Sequence, residues 1–255
     1  MGVGYVLGCF FSILLWKIDR QIIYRRINNT LKKVVKNPVI PVFFYYLCAV
    51  LLCIWLSDIN NKEIFNGITA FLVTDISNSE RKSLKRREKV HFYDSISIIS
   101  RSTVCGFIAP FLYIMLFGNS FAIIYTLTYN LRIISNLNFI TICFNISTFI
   151  PAFIAQGFLY IIYVTRNKKF SLDFKGDYFI NSYMNPMLNI DILAAYVESV
   201  NFYHYFSKKN TSYLKSYGEY KNKIDQICIR DYIGISYGIC MIWFIIFFLI
   251  TILTF

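Results

Sequence analysis

Asp191 and Glu198 stand seven residues apart in PMLNIDILAAYVESV, a spacing that places both carboxylates on one face of a helix. They are the candidates for a catalytic pair. Arg101 and Arg132, which border a long uncharged stretch, are the matching candidates for holding a cofactor. Each of these four also reads as a helix-end anchor or a loop charge, because membrane enzymes carry their ionisable groups inside or just outside their spans. Other chemistry has little to build on. The chain shows no Ser-His-Asp or Cys-His set, no glycine-rich phosphate loop followed by lysine and no HExxH. His91 and His204 are too few and too far apart to suggest a metal site. The cysteines at 9, 48, 53, 105, 143, 228 and 240 are odd in number, lie mostly in apolar runs and lack metal-finger spacing. They read as small core residues.

The elements that would position such residues are apolar. Of 255 residues, 56% are hydrophobic, with 25 Phe and 20 Tyr. A water-soluble protein of this size cannot hide that much apolar surface. A bilayer crossing needs about 20 apolar residues. Pro38–Ser57 and Tyr232–Phe255 each supply that length, and Ile133–Thr165 follows the uncharged stretch after Arg132 alone. Gly2–Trp16 is shorter and has no basic region before it, so it reads as a retained first crossing rather than a cleaved signal.

The charges lie between these runs. Trp16, Ile23, Ile27, Leu31 and Val34 recur at helical spacing, with Arg20, Arg25, Arg26, Lys32, Lys33 and Lys36 largely elsewhere. Residues 17–36 therefore read as a basic amphipathic helix lying along the cytosolic membrane face. Residues 75–101 read as a basic polar loop, its cluster SERKSLKRREK a solvated face near lipid phosphates or a phosphate-substrate site. Residues 166–231, with ten basic and seven acidic side chains, read as a polar helical loop or cap. Both basic segments want the cytosolic side. Either Ile64–Thr74 helps the chain return across a thinned or protein-lined region, or the charge rule fails here. The net charge of +12 is explained by headgroups and the positive-inside rule rather than by nucleic acid.

Ser102–Leu131 is uncharged for 30 residues, about 45 Å as a helix, against a hydrocarbon layer of about 30 Å. Two crossings do not fit. One crossing with a bent or emerging part does. Pro110 supplies a kink and Gly118-Asn119 a second weak point. Broken helix in a bilayer is tolerated only where protein or water satisfies the backbone, so this stretch is expected to face the interior. The fold expected is all-α: a single polytopic helical integral membrane domain over 1–255, with about five to six transmembrane segments, an interfacial helix and polar helical loops.

STVCGFIAPFLYIMLFGNSFAIIYTL (Ser102–Leu127), FIPAFIAQG (Phe149–Gly157) and NPMLNIDILAAYVESV (Asn185–Val200) occur in the order of matching segments in the CobD/CbiB cobalamin-biosynthesis membrane proteins, and the chain resembles that family over Ser95–Phe255. The resemblance implies joining an aminopropanol unit to a corrinoid carboxylate with ATP and Mg²⁺. The family's polar residues are largely replaced: Cys105 stands where it has Asp, Arg101 and Ser102 where it has Glu-Asn, Arg132 where it has an acid, and Phe153 where it has Arg. Only the neighbourhood of Asp191 keeps an acid. The expectation is therefore a CobD/CbiB-like scaffold without the ancestral chemistry, not an enzyme and without a cofactor. It would serve as a subunit or small-molecule-binding component of an assembly in a bacterial cytoplasmic membrane. Its partners would be lipids and other membrane subunits or further copies of itself, not nucleic acid. The alternatives are a divergent ATP-dependent amide-forming enzyme and a membrane component of a transporter.

Overall fold

The computed structural model describes residues 2–35, 37–59, 61–85, 92–135, 137–208, 211–219, 221 and 225–254. Among the described residues, four helices are long and apolar enough to cross a membrane: Val39–Ser57, the continuous run Asp94–Phe117, Asn138–Asn167 and Gln226–Ile250. Their outer faces carry exposed large apolar side chains such as Phe43, Trp55, Ile146, Phe153 and Phe248. That is the inside-out surface of a polytopic helical membrane protein.

The chain opens with α1 (Val3–Leu14), which lies parallel to α4 (Lys62–Lys85). Gly4 and Gly8, one turn apart, let the backbones touch. A Cβ at Gly8 would collide with the carbonyl oxygen of Gly67, and one at Gly4 with that of Glu63. Small residues at this spacing are how helices approach closely where water supplies no driving force. Glu63 completes the junction by accepting the Gly4 amide at 2.6 Å and the Gly2 amide at 3.3 Å, which satisfies donors that the first turn of α1 leaves open.

Next, α2 (Arg20–Val34) begins at an Asp19 N-cap that accepts the Gln21 amide at 3.1 Å. Its buried positions include Gln21 and Asn28, whereas Ile22, Ile23 and Ile27 point outward. The polar face meets the bundle and the apolar face does not. Arg20 lies almost buried. It pairs with Asp75 at 3.4 Å, reaches the Ser12 carbonyl at 3.1 Å and the Phe71 carbonyl at 3.2 Å, and stacks on the Phe71 ring at 4.0 Å. One guanidinium thus ties α2 to both α1 and α4. Lys36 and residues 86–89 of the basic cluster, with His91, lie outside the described residues.

Following α3 (Val39–Ser57), α4 turns the expected basic loop into helix. Residues 75–85 continue it, and α5 (Phe92–Thr103) resumes soon after the cluster. Among the described residues Asp75, Glu80 and Arg101 are paired with neighbours, and Lys82 donates to the Ile18 carbonyl at 2.6 Å.

The uncharged stretch behaves differently from one bent crossing. From α5 the helix runs on through a π-helical segment, Val104–Ile108, into α6 (Ala109–Phe117), so the apolar span starts at Asp94 and not after Arg101. Gly106 sits in the π segment, where a Cβ would strike the Ser77 hydroxyl of α4. At Gly118 (φ 81°) the chain reverses into α7 (Asn119–Ile134). The rings of Tyr113 and Tyr125, 5.3 Å apart, close this antiparallel corner. The 30 residues are therefore the tip of a helical hairpin. Pairing of Arg101 with a carboxylate removes the charge that, in sequence, looked like the span's end.

The long helix α8 (Asn138–Asn167) contains Pro151. The chain then folds back along it. α9 (Tyr178–Met184) runs antiparallel to α8: the Tyr178 hydroxyl donates to Gln156 at 3.0 Å, Asn145 donates to the Met184 carbonyl at 2.5 Å, and the Phe149 and Tyr183 rings lie 5.7 Å apart. α10 (Pro186–Val197) returns to the starting level, where the Asn167 amide reaches the Tyr196 carbonyl at 3.3 Å and the Ser199 hydroxyl donates back to Asn167 at 3.1 Å. All twelve residues of α10 are buried. Its partner α9 leaves Phe179, Ile180, Tyr183 and Met184 exposed.

An antiparallel β-hairpin follows, β1 (Asn201–Lys208) paired with β2 (Thr211–Gly218). It is an exception to the all-α expectation. Lys215 pairs with Asp177, and Tyr217 donates to the same carboxylate at 3.1 Å, fastening the hairpin to the loop before α9. The expected polar cap at 166–231 is thus an inserted helical pair plus a sheet. α11 (Gln226–Thr254) closes the bundle.

Replacing Gly8 with leucine is expected to lower the thermal midpoint in detergent or nanodiscs, because overpacking a close contact costs about 1–3 kcal/mol. Gly157→Ala, where an added Cβ meets nothing within 4 Å, is expected to leave it unchanged or slightly raised.

Candidate functional site

Polar side chains meet where α2, α4, α5 and α7 converge. Tyr129 on α7 donates to Glu80 on α4 at 2.6 Å. Arg101 on α5 brings its Nε to both oxygens of Glu80 at 3.1 Å. The same guanidinium donates through Nη1 to the Ser97 hydroxyl at 2.8 Å, and that hydroxyl donates to Asp191 of α10 at 2.8 Å. Ser100, one turn along α5, shares a 2.8 Å hydrogen bond with Tyr232 of α11. A chain of polar contacts thus runs from α7 through α4 and α5 to the buried α10. Helix spacing makes it possible, because Ser97 and Arg101 are four apart and stack on one face.

Beside this chain opens a crevice of about 330 Å³. α2 and its cap contribute Asp19, Gln21 and Arg25; α4 contributes Ser79, Glu80 and Lys82. Arg101 of α5 lines it, as do Tyr129, Arg132 and Ile133 of α7. Gln21 spans the floor, bonding to Asn130 and, at 3.2 Å, to Ser79. Arg132 lies over the Phe144 ring at 4.2 Å. Among the described residues, neither Arg25 nor Arg132 has a carboxylate within ion-pair distance.

The four residues singled out in the sequence fall into two groups. Arg101 and Arg132, thirty-one positions apart, line the same crevice. Asp191 touches Arg101's network through Ser97 but does not line the crevice. Glu198 sits elsewhere, at the mouth of the α9–α10 hairpin. It takes Arg166 of α8 at 3.3 Å, while the other arm of that guanidinium holds Asp231 of α11 at 2.5 Å. The two carboxylates that share a helix face therefore have different partners, and no acid–base pair forms between them. Tyr129, one tyrosine among twenty, is a site residue that the sequence does not single out, whereas Glu80 and Lys82 belong to the cluster SERKSLKRREK, which reads there as a solvated face or a phosphate-substrate site.

All seven cysteines are free, and Cys105 is fully buried against the π segment's neighbours. Among the described residues, no group of three or more His, Cys, Asp or Glu side chains converges as metal ligands would. Comparison with protein-family models, curated proteins and solved structures finds no match to this chain.

Glu80→Ala is expected to destabilise the bundle strongly, by about 3–5 kcal/mol, because it strands a mostly buried guanidinium. Tyr129→Phe removes one hydrogen bond to a charged acceptor and is expected to cost about 1.5–3 kcal/mol. Thermal unfolding in nanodiscs ranks the two.

Glu198 yields a pH test. Burial pushes its carboxyl from an ordinary 4.5 up to about 7, against the pull of Arg166. Across that window the folded protein binds more protons than the unfolded one, so this group makes stability fall as pH rises. The thermal midpoint is expected to decline from about pH 5 to about pH 8, and Glu198→Gln is expected to flatten that part of the decline.

Proposed function

We propose that this protein is a CobD/CbiB-like membrane scaffold that binds a small polar molecule in the α2–α4–α5–α7 crevice and serves as a component of a membrane assembly, without the ancestral ligation chemistry. The observation that carries the reading is how the carboxylates are engaged. Glu80 is taken up by Arg101 and Tyr129, and Asp191 by Ser97. What faces the crevice is mainly cationic and hydrogen-bonding, a surface suited to binding rather than to proton transfer. The three segments that carry the family likeness contribute to one core: Ile108, Ala109 and Leu112, then Ala152 and Ala155, then α10. That supports a common plan.

In this reading α4 completes the return across the bilayer beside α1, which puts both basic segments on one side. α2 lies in the interface, its outward Ile22, Ile23 and Ile27 in lipid.

The test is gentle extraction into nanodiscs followed by native mass spectrometry. A small molecule or a stoichiometric partner should be retained, and Asp191→Asn, which keeps a hydrogen-bond acceptor for Ser97, should retain it too. An ATP-dependent ligation by the purified protein that disappears in Asp191→Asn would sink the proposal in favour of the enzyme.

A further inference from the structure

Resting on the binding role just proposed, we infer that the crevice takes a phosphate monoester dianion. Four cations border it, Arg25, Lys82, Arg101 and Arg132, against two carboxylates, Asp19 and Glu80. Glu80 is consumed by Arg101, and Asp19 is turned onto the Gln21 amide at the start of α2. The remaining positive charge matches two negative charges on a ligand. Arg25 and Arg132 come from different helices and have no carboxylate of their own among the described residues, so their guanidinium forks are available for a phosphate's oxygens.

The volume of about 330 Å³ lies at the small end of ligand pockets, with room for a phosphate and a modest attached group. Tyr129 and Ile133 give that group an aromatic and an apolar wall. The crevice opens beside α2, whose outward side chains include the apolar Ile22, Ile23 and Ile27. The phosphate can therefore arrive on a free small molecule or on a lipid headgroup; the recognising chemistry is the same.

Two nanodisc preparations separate the sources, one of phosphatidylcholine alone and one containing phosphatidic acid. Glycerol phosphate, a phosphate monoester, is titrated into each by calorimetry, and retained lipid is read by native mass spectrometry. In phosphatidylcholine discs glycerol phosphate is expected to bind, and Arg25→Gln and Arg132→Gln should each weaken it roughly tenfold or more. Loss of that binding in phosphatidic acid discs, with phosphatidic acid retained by the native chain but not by the variants, marks the lipid headgroup as occupant. Unchanged binding marks the free phosphate. Arg132→Gln also removes the contact with Phe144, so Arg25, which is exposed, is the decisive variant. Glycerol phosphate and phosphatidic acid binding that ignores Arg25→Gln, or no binding of either, overturns the assignment. If extraction then yields a retained molecule lacking phosphate, the binding role survives; if nothing is retained or bound, both fall.

Discussion

Burial of the Glu80–Arg101 pair is the constraint around which the bundle is arranged. Neither charge can sit in an apolar interior alone, since leaving one unmatched costs several kcal/mol. Their pairing demands that α4 and α5 lie side by side at one depth. Tyr129 adds the requirement that α7 pass on the other side of the same carboxylate. Ser97 extends the demand to α10. Four elements are thus placed by one ion pair and its hydrogen bonds, in a structure whose apolar contacts are non-directional and would tolerate other arrangements. The crevice is a product of this geometry, since the pair holds α4 and α5 together while α2 and α7 flank them.

Much of the helical framework is visible in the residue pattern, because length and apolarity decide whether a segment spans. α3 and α11 follow from uninterrupted runs. The hairpin at Gly118 did not, because the uncharged length was measured from Arg101. A paired arginine is no boundary, and pairing is a long-range fact: Glu80 lies 21 residues away within a run of basic residues. α10 carried its own signal. PMLNIDILAAYV is apolar around nearly the whole helix, which is the mark of a fully buried segment, but its flanking charges suggested a surface cap. The β-hairpin was also partly legible in the aromatic-rich NFYHYF and TSYLKSY on either side of a short polar turn. Of the site, Arg101 and Arg132 were noticed because they border apolar runs. That they meet depends on the reversal at Gly118, which brings the end of α7 back towards the end of α5.

α2 turns its isoleucines away from the bundle. Its isoleucines recur at helical spacing, the usual sign of a core-facing stripe. Here the inward positions belong to Gln21 and Asn28, and the outward ones to Ile22, Ile23 and Ile27. Arg20 reverses the usual place of a basic residue as well: it is buried, cancelled by Asp75 and bonded to two carbonyls. A helix so fastened at its first turn presents Arg25 at a constant position beside the crevice.

The folded-back pair α9–α10 bears on biogenesis. With seven and twelve residues, its arms measure about 10 and 18 Å, well short of a bilayer's hydrocarbon thickness. Neither arm can leave the translocon as a self-sufficient segment. Asn189 of α10 donates within the pair to Tyr178 and Ser182 of α9, whereas Asp191 accepts from Ser97 of α5. The pair therefore takes its place only against α5 and α8, which pack on α10, so the protein's centre is filled after those spans are in the bilayer.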